Sequence, residues 1–184
     1  MLDLIQKFDE SLALFFQSIH NPITDFPMTV ITKLGDDGIF WIILALVLLI
    51  FKKTRKTGFM LAAALIFCLV INNLVLKSIF SRERPFVVLE AIELIIDPPG
   101  GYSFPSGHTV SSIASATTVF WSFKNSSKLA AWGAVVLAVL IAFSRMYLCV
   151  HFFTDVLAGA VVGVLLGIAA IALVNFIYKK ISKA

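Results

Sequence analysis

Ser144-Arg145-Met146-Tyr147-Leu148-Cys149-Val150-His151-Phe152-Phe153-Thr154-Asp155 sets a cation, an imidazole and a carboxylate at the seam between two apolar runs, 129–147 and 152–178. Runs of about twenty apolar residues are the length a bilayer demands, so this seam decides the fold: two membrane helices with charge concentrated where one ends and the next begins. Ionisable groups at such a boundary are costly unless paired or functional. With residues 151 onward helical, His151 and Asp155 fall at i and i+4 on one face. The carboxylate then accepts the proton of one ring nitrogen and leaves the other as a directed lone pair. That arrangement activates a nucleophile.

Two upstream stretches answer it. Ser103-Phe104-Pro105-Ser106-Gly107-His108 carries a second imidazole beside a glycine whose backbone N–H can approach an anion closely, at an expected helix start. Lys77-Ser78-Ile79-Phe80-Ser81-Arg82-Glu83-Arg84-Pro85 adds cations at the edge of another apolar run. Lys77, Arg84, Arg145, His108 and His151, with Asp155 as orienter, suit a tetrahedral, multiply charged oxyanion better than a carbonyl. The implied substrate group is phosphate.

Composition points the same way. Of 184 residues 59% are hydrophobic and 14% charged, with a mean hydropathy of +0.96, which excludes an ordinary soluble domain. The net charge of +4 is not a nucleic-acid footprint, because the lysines sit beside apolar runs. Cys68 and Cys149 have no metal-site spacing and are expected to pack. The fold expected is an all-α integral membrane protein: about five transmembrane helices, with an N-terminal interfacial amphipathic region. The spans fall at 39–51, 58–80, 105–123, 129–147 and 152–178. Residues 1–184 form a single domain, with interfacial helices over 1–35, a transmembrane core over 36–178 and a cytoplasmic tail over 179–184.

Several finer expectations follow. Residues 2–19 place Ile5, Phe8, Leu12, Phe15, Phe16 and Ile19 on one stripe, opposed by Asp3, Gln6, Lys7 and Glu10, as in a helix lying at a membrane surface. Asn21-Pro22 ends it. An aspartate of Asp36-Asp37 caps the first span, and Asn73, one turn before Lys77, is a candidate partner for that lysine. The apolar piece 86–96 rests on the membrane surface. Gly159, Gly163 and Gly167 continue the His151–Asp155 stripe and are expected to serve close internal packing. Lys52, Lys53, Arg55, Lys56, Lys124, Lys128, Lys179, Lys180 and Lys183 gather on one side, expected to be cytoplasmic, which puts the three site stretches on the extracytoplasmic face of a cell membrane.

Read as Lys-x6-Arg-Pro, Pro-Ser-Gly-His and Ser-Arg-x5-His-x3-Asp, the three stretches resemble the tripartite signature of the type-2 phosphatidic acid phosphatase superfamily, which includes bacterial acid phosphatases and vanadium haloperoxidases. All three blocks match in order, over roughly residues 70 to 160. The resemblance implies a membrane lipid phosphatase needing no metal or other cofactor. His151, held by Asp155, attacks phosphorus; His108 protonates the leaving oxygen and then activates water. Lys77, Arg84 and Arg145, with Ser106 and the Gly107 N–H, neutralise the phosphoryl oxygens. Small bacterial members act on undecaprenyl pyrophosphate, so that is the substrate expected, ahead of phosphatidylglycerophosphate or phosphatidic acid. A non-hydrolytic lipid flippase or binding protein on the same fold is the alternative of another class.

Overall fold

The computed structural model describes residues 2–183, and among the described residues it is helical, with no strand. Helix α1 covers Leu2–Ser18 and α2 covers Pro22–Lys33, the latter capped by Asn21, whose side chain accepts from the N–H groups of Ile23 and Thr24. A 3-10 turn at Asp36–Gly38 leads into α3, Ile39–Ile50. Helix α4, Arg55–Phe67, continues through a nine-residue π segment, Cys68–Leu76, into α5, Lys77–Phe80, and a short α6, Pro85–Val88, follows a break. Three long helices complete the chain: α7, Gly107–Phe123; α8, Lys128–Tyr147; and α9, Phe153–Ile181.

Three of these segments are long and apolar enough to cross a membrane, Arg55–Val88, Lys128–Tyr147 and Phe153–Ile181. Helices α3 and α7 have 12 and 17 residues. At about 1.5 Å per residue, α3 reaches about 18 Å, well short of the roughly 30 Å hydrocarbon core. The outer faces are apolar: Leu129, Val136 and Leu165 are 87%, 56% and 60% exposed. Such a surface is solvated by lipid chains, not by water, and the protein is a multi-pass membrane protein.

Helix α7 runs through the middle, packed between α8, α9 and α4. Small residues permit this: Ala114, Ser115, Ala116 and Thr118 are buried, and the buried Trp41 indole of α3 donates to Ser112 Oγ at 3.0 Å. The α9 glycines lie directly against α7. A Cβ on Gly159 would meet Ser106 O at 3.1 Å, on Gly163 Val110 O at 2.8 Å, and on Gly167 Ala114 O at 2.9 Å. The glycine stripe is therefore spent on internal packing. Gly163→Val is expected to lower the thermal midpoint in detergent, because overpacking against a backbone oxygen costs about 1–3 kcal/mol. A valine recovers at most about 1 kcal/mol of helix propensity over glycine.

Several sequence expectations change here. His151 lies in the turn between α8 and α9 and outside the helix; α9 begins two residues later. Pro105 precedes α7 instead of opening it. Asp36 and Asp37 do not cap α3, whose N-cap is Gly38 in a left-handed conformation (φ 69°) with no side-chain cap bond. Residues 86–96 do not simply rest on the membrane: Ile92 is buried with Phe86, Leu89 and Ile96 against Leu148, Val150 and α1. Helix α1 is amphipathic as expected, yet part of its polar side faces protein. Asp9 is fully buried, whereas Leu4, Phe8 and Phe15 are 73%, 54% and 54% exposed.

Candidate active site

Each site stretch sits where an element must change direction. The α8–α9 turn holds His151 because Cys149, in a left-handed conformation (φ 54°), reverses the chain while Val150 and Phe152 stay buried. Asp155 is the third residue of α9, and its Oδ2 accepts the Phe152 N–H at 2.8 Å, so one carboxylate both closes the helix N-terminus and faces the histidine. The Ser106 N–H donates to Asp155 O at 3.1 Å and ties the start of α7 to the start of α9.

The protonation state of His151 can be read from its neighbours. Arg84 Nη1 lies 3.1 Å from His151 Nε2, and a guanidinium only donates, so Nε2 holds a lone pair and the proton is on Nδ1. Nδ1–H points to Ser103 Oγ at 3.2 Å, and Ser103 Oγ in turn donates to Asp155 Oδ2 at 2.5 Å. Asp155 Oδ2 is 3.6 Å from Nδ1. Contact between histidine and carboxylate therefore runs mainly through Ser103, which is what moving His151 out of the helix produces.

Burial, reinforced by the positive charges of Arg84 and Arg145 and opposed by Asp155, pushes the His151 imidazole down to about 3. The folded protein thus keeps the neutral, nucleophilic ring well below the ordinary midpoint near 6.5. An NMR titration of nitrogen-labelled histidine is expected to show His151 still neutral and Nδ1-protonated at pH 5; a midpoint near 6.5 would contradict the geometry. The same shift has a stability consequence. The unfolded chain takes up a proton below about pH 6.5 and the folded site does not, so stability is present above that pH and is lost as pH falls toward 3.

Lys77, Arg84, Gly107, His108, Arg145 and His151 line one cavity of about 870 Å³. Arg84 is held by five contacts: Nε to Gly101 O at 2.9 Å, Nη2 to Gly100 O and Tyr102 O, and Nη1 to Val150 O and His151 Nε2. Arg145 is nearly buried; its Nη1 donates to Thr32 Oγ1 at 2.5 Å while its Nε has no partner. Arg145 lines the cavity together with two more cations, a set disposed to take an oxyanion. Ser106 is completely buried, its Oγ accepting the Thr109 hydroxyl at 3.0 Å, and it stands behind the cavity wall. Asn73 Oδ1 accepts from Asn72 at 2.9 Å, and no bond links it to Lys77.

Three further residues join the site. Ser103, three residues before Ser106, bridges His151 and Asp155, and Arg82, two residues before Arg84, donates to Asp155 Oδ1 at 2.7 Å. Asp36 Oδ1 lies 2.8 Å from His108 Nε2, so the residue expected to cap α3 instead orients the second histidine. A serine two residues before Pro105 and an arginine two before Arg84 carry no sequence signal of their own, because their meaning depends on which carboxylate they meet.

Below the polar end, the same cavity continues between α3 and α4 along Ile42, Leu46, Leu49, Ala62, Leu65 and Leu69. One space therefore joins a cluster of three cations and two imidazoles to an apolar groove.

A model of the PAP2 superfamily matches residues 53–179. The chain is 34% identical over 136 residues to an undecaprenyl-diphosphatase of Sulfolobus acidocaldarius, covering 74% of this chain and 64% of that protein. It is 31% identical over 150 residues to the undecaprenyl-diphosphatase BcrC of Bacillus subtilis, covering 82% and 75% of the two chains. The crystal structure of a transmembrane PAP2-type phosphatidylglycerolphosphate phosphatase from Bacillus subtilis superposes with a TM-score of 0.75 at 29% identity, covering 97% of this chain and 88% of the other.

Proposed function

This chain belongs to the PAP2 superfamily, and on that premise we propose that it is a membrane lipid phosphatase that converts undecaprenyl pyrophosphate to undecaprenyl phosphate through a phosphohistidine. The observation that carries the reading is the shared cavity, cationic at the histidines and apolar between α3 and α4. A phosphorylated headgroup fits the first part and a hydrocarbon chain the second. Similarity to two undecaprenyl-diphosphatases supports the choice of lipid. The structural likeness to a phosphatidylglycerolphosphate phosphatase favours phosphatidylglycerophosphate as the second candidate.

His151 Nε2 attacks the terminal phosphorus as the bridging P–O bond breaks, and His108 gives its proton to the departing lipid phosphate. His108 then takes a proton from water, which attacks the phosphohistidine phosphorus as the Nε2–P bond breaks, releasing inorganic phosphate and returning His151 to its neutral form. Lys77, Arg84 and Arg145, with the Gly107 N–H, stabilise the charge on the equatorial oxygens, and the Arg84 donor that now faces Nε2 transfers to a phosphoryl oxygen. Ser106 acts from behind, by joining α7 to α9. The fold is a five-helix membrane bundle, α3, the α4–α5 rod, α7, α8 and α9, with one domain over residues 1–184. Lysines flanking the apolar runs on the opposite side support an extracytoplasmic active site in the cell membrane.

The test is phosphate release by the purified protein in detergent from undecaprenyl pyrophosphate, phosphatidylglycerophosphate and phosphatidic acid, with a chelator present throughout. Release that persists in chelator, is blocked by vanadate and is fastest for the pyrophosphate is expected. Three cations of the cavity do the neutralising that a metal would otherwise supply, so the chelator is expected to change the rate by less than about twofold, against the several kcal/mol a catalytic metal contributes. No release from any of the three lipids by folded protein would overturn the reading and favour a non-hydrolytic lipid-binding role.

A further inference from the structure

Helix α1 contributes no residue to the cavity, yet it holds a charged side chain that is completely buried. Asp9 accepts three hydrogen bonds: from Arg82 Nη2 at 2.8 Å, from the Thr154 N–H at 3.1 Å and from the Thr154 hydroxyl. Arg82 is shared between two carboxylates. Its Nη2 serves Asp9 and Gln6 Oε1, while its Nη1 serves Thr154 Oγ1 and Asp155 Oδ1, each at 2.7 Å. The guanidinium also lies 4.2 Å from the centroid of the Phe152 ring, next to the nucleophile in sequence. All five of these partners are on α1 or within residues 152–155.

A buried carboxylate on a helix at the edge of the fold is a poor device for stability alone, since its desolvation offsets most of the attraction. Its geometry has a more specific result. Asp155 has two oxygens and two tasks: Oδ2 receives Ser103 and the Phe152 N–H, and Oδ1 receives Arg82. Arg82 reaches Oδ1 with one edge of its guanidinium while Asp9 and Gln6 of α1 hold the other. The apolar side of α1 reinforces the docking: Phe8 meets the Phe153 ring edge-on at 5.8 Å, and the Cys149 thiol contacts Ala13 O at 3.4 Å.

Resting on the phosphatase reading, we propose that Arg82 and Asp9 are positioning residues, through which the N-terminal surface helix fixes the rotation of Asp155 and, by way of Ser103, the tautomer of the nucleophile His151. Neither residue touches the phosphoryl group. Their loss slows chemistry while leaving the cationic cradle of Lys77, Arg84 and Arg145 in place. A carboxylate freed at Oδ1 turns, Ser103 loses its acceptor, and the Nδ1 proton of His151 is no longer held.

The experiment compares Arg82→Gln, the isosteric Asp9→Asn and the double variant with the parent. Partners that orient a site group from outside typically contribute about 10–100-fold. The turnover number per vanadate-titrated site is expected to fall by that factor in each single variant. The inhibition constant for inorganic phosphate is expected to stay within about threefold, and the double variant to be no slower than Arg82→Gln, because residues in one network are not additive. Should Arg82→Gln fail to fold, Asp9→Asn carries the same comparison. An independent readout is the nitrogen NMR signature of His151, which in either variant is expected to lose its exclusive Nδ1–H form. Unchanged turnover per site, or turnover lost only in proportion to vanadate sites, overturns the proposal. If the parent itself releases no phosphate, the phosphatase reading fails instead, and the His151 signature alone decides: a shift upholds the network and an unchanged signature overturns it.

Discussion

If His151 is the nucleophile, as proposed, His151→Ala is expected to reduce phosphate release by about 10⁴-fold or more, since the covalent route is then abolished and only binding and electrostatics remain. The reason is local. His151 Nε2 carries the only lone pair in the cavity whose partner nitrogen is held by a Ser103–Asp155 relay, among the described residues. The Lys77, Arg84 and Arg145 cradle remains, so inorganic phosphate is expected to inhibit with little change. The companion variant His108→Ala separates the two half-reactions. With a pyrophosphate the leaving group is itself a phosphate ester and departs without much help, whereas hydrolysis of the phosphohistidine still needs a base. His108→Ala is therefore expected to trap an acid-labile, base-stable phosphoenzyme that His151→Ala never forms. Equal labelling of both variants would sink the assignment of His151 as nucleophile.

Arg84→Lys is expected to cost about 10²–10³-fold in kcat/KM, the range for a lost oxyanion donor, although the charge is retained. Arg84 binds Gly100 O, Gly101 O, Tyr102 O and Val150 O at once and still presents a donor at Nε2. An ammonium has three donors in tetrahedral array and cannot reach two loops and the phosphate together. The 100–102 strip and the turn that carries His151 are both expected to loosen. Arg145→Lys is expected to be milder, because Arg145 has a single protein acceptor, Thr32, to lose. Steady-state kinetics on the two variants rank them directly, and a larger loss for Arg145→Lys would contradict the reading of Arg84 as the organiser of both loops.

Much of this site was legible in the chain. Lys77, Arg84, Gly107, His108, Arg145 and His151 line one cavity, and the spacing that marked them holds because each sits at the end of an apolar run, where a membrane helix must stop. The α9 glycines were readable for the same reason, since a four-residue repeat lies on one helical face. What could not be read was the geometry between stretches. Placing His151 on α9 made Asp155 its direct partner; in fact the turn leaves it outside the helix and Ser103 fills the gap. Asp36 looked like a helix cap because a cap is the local use of an aspartate, and its actual partner, His108, is 72 residues away.

The sequence by itself determined the membrane fold class, the family and the cationic, imidazole-bearing character of the site, since hydropathy runs and short motifs are properties of neighbours along the chain. Only the tertiary structure decided which oxygen meets which proton: Ser103 between His151 and Asp155, Asp36 on His108, and Asp9 of α1 on Arg82. The physical reason is that hydrogen bonds act over about 3 Å and depend on direction. The position of Asp9 against Thr154 is therefore fixed by how whole helices pack around α7 and the α8–α9 turn, not by anything within reach of residue 9 along the backbone.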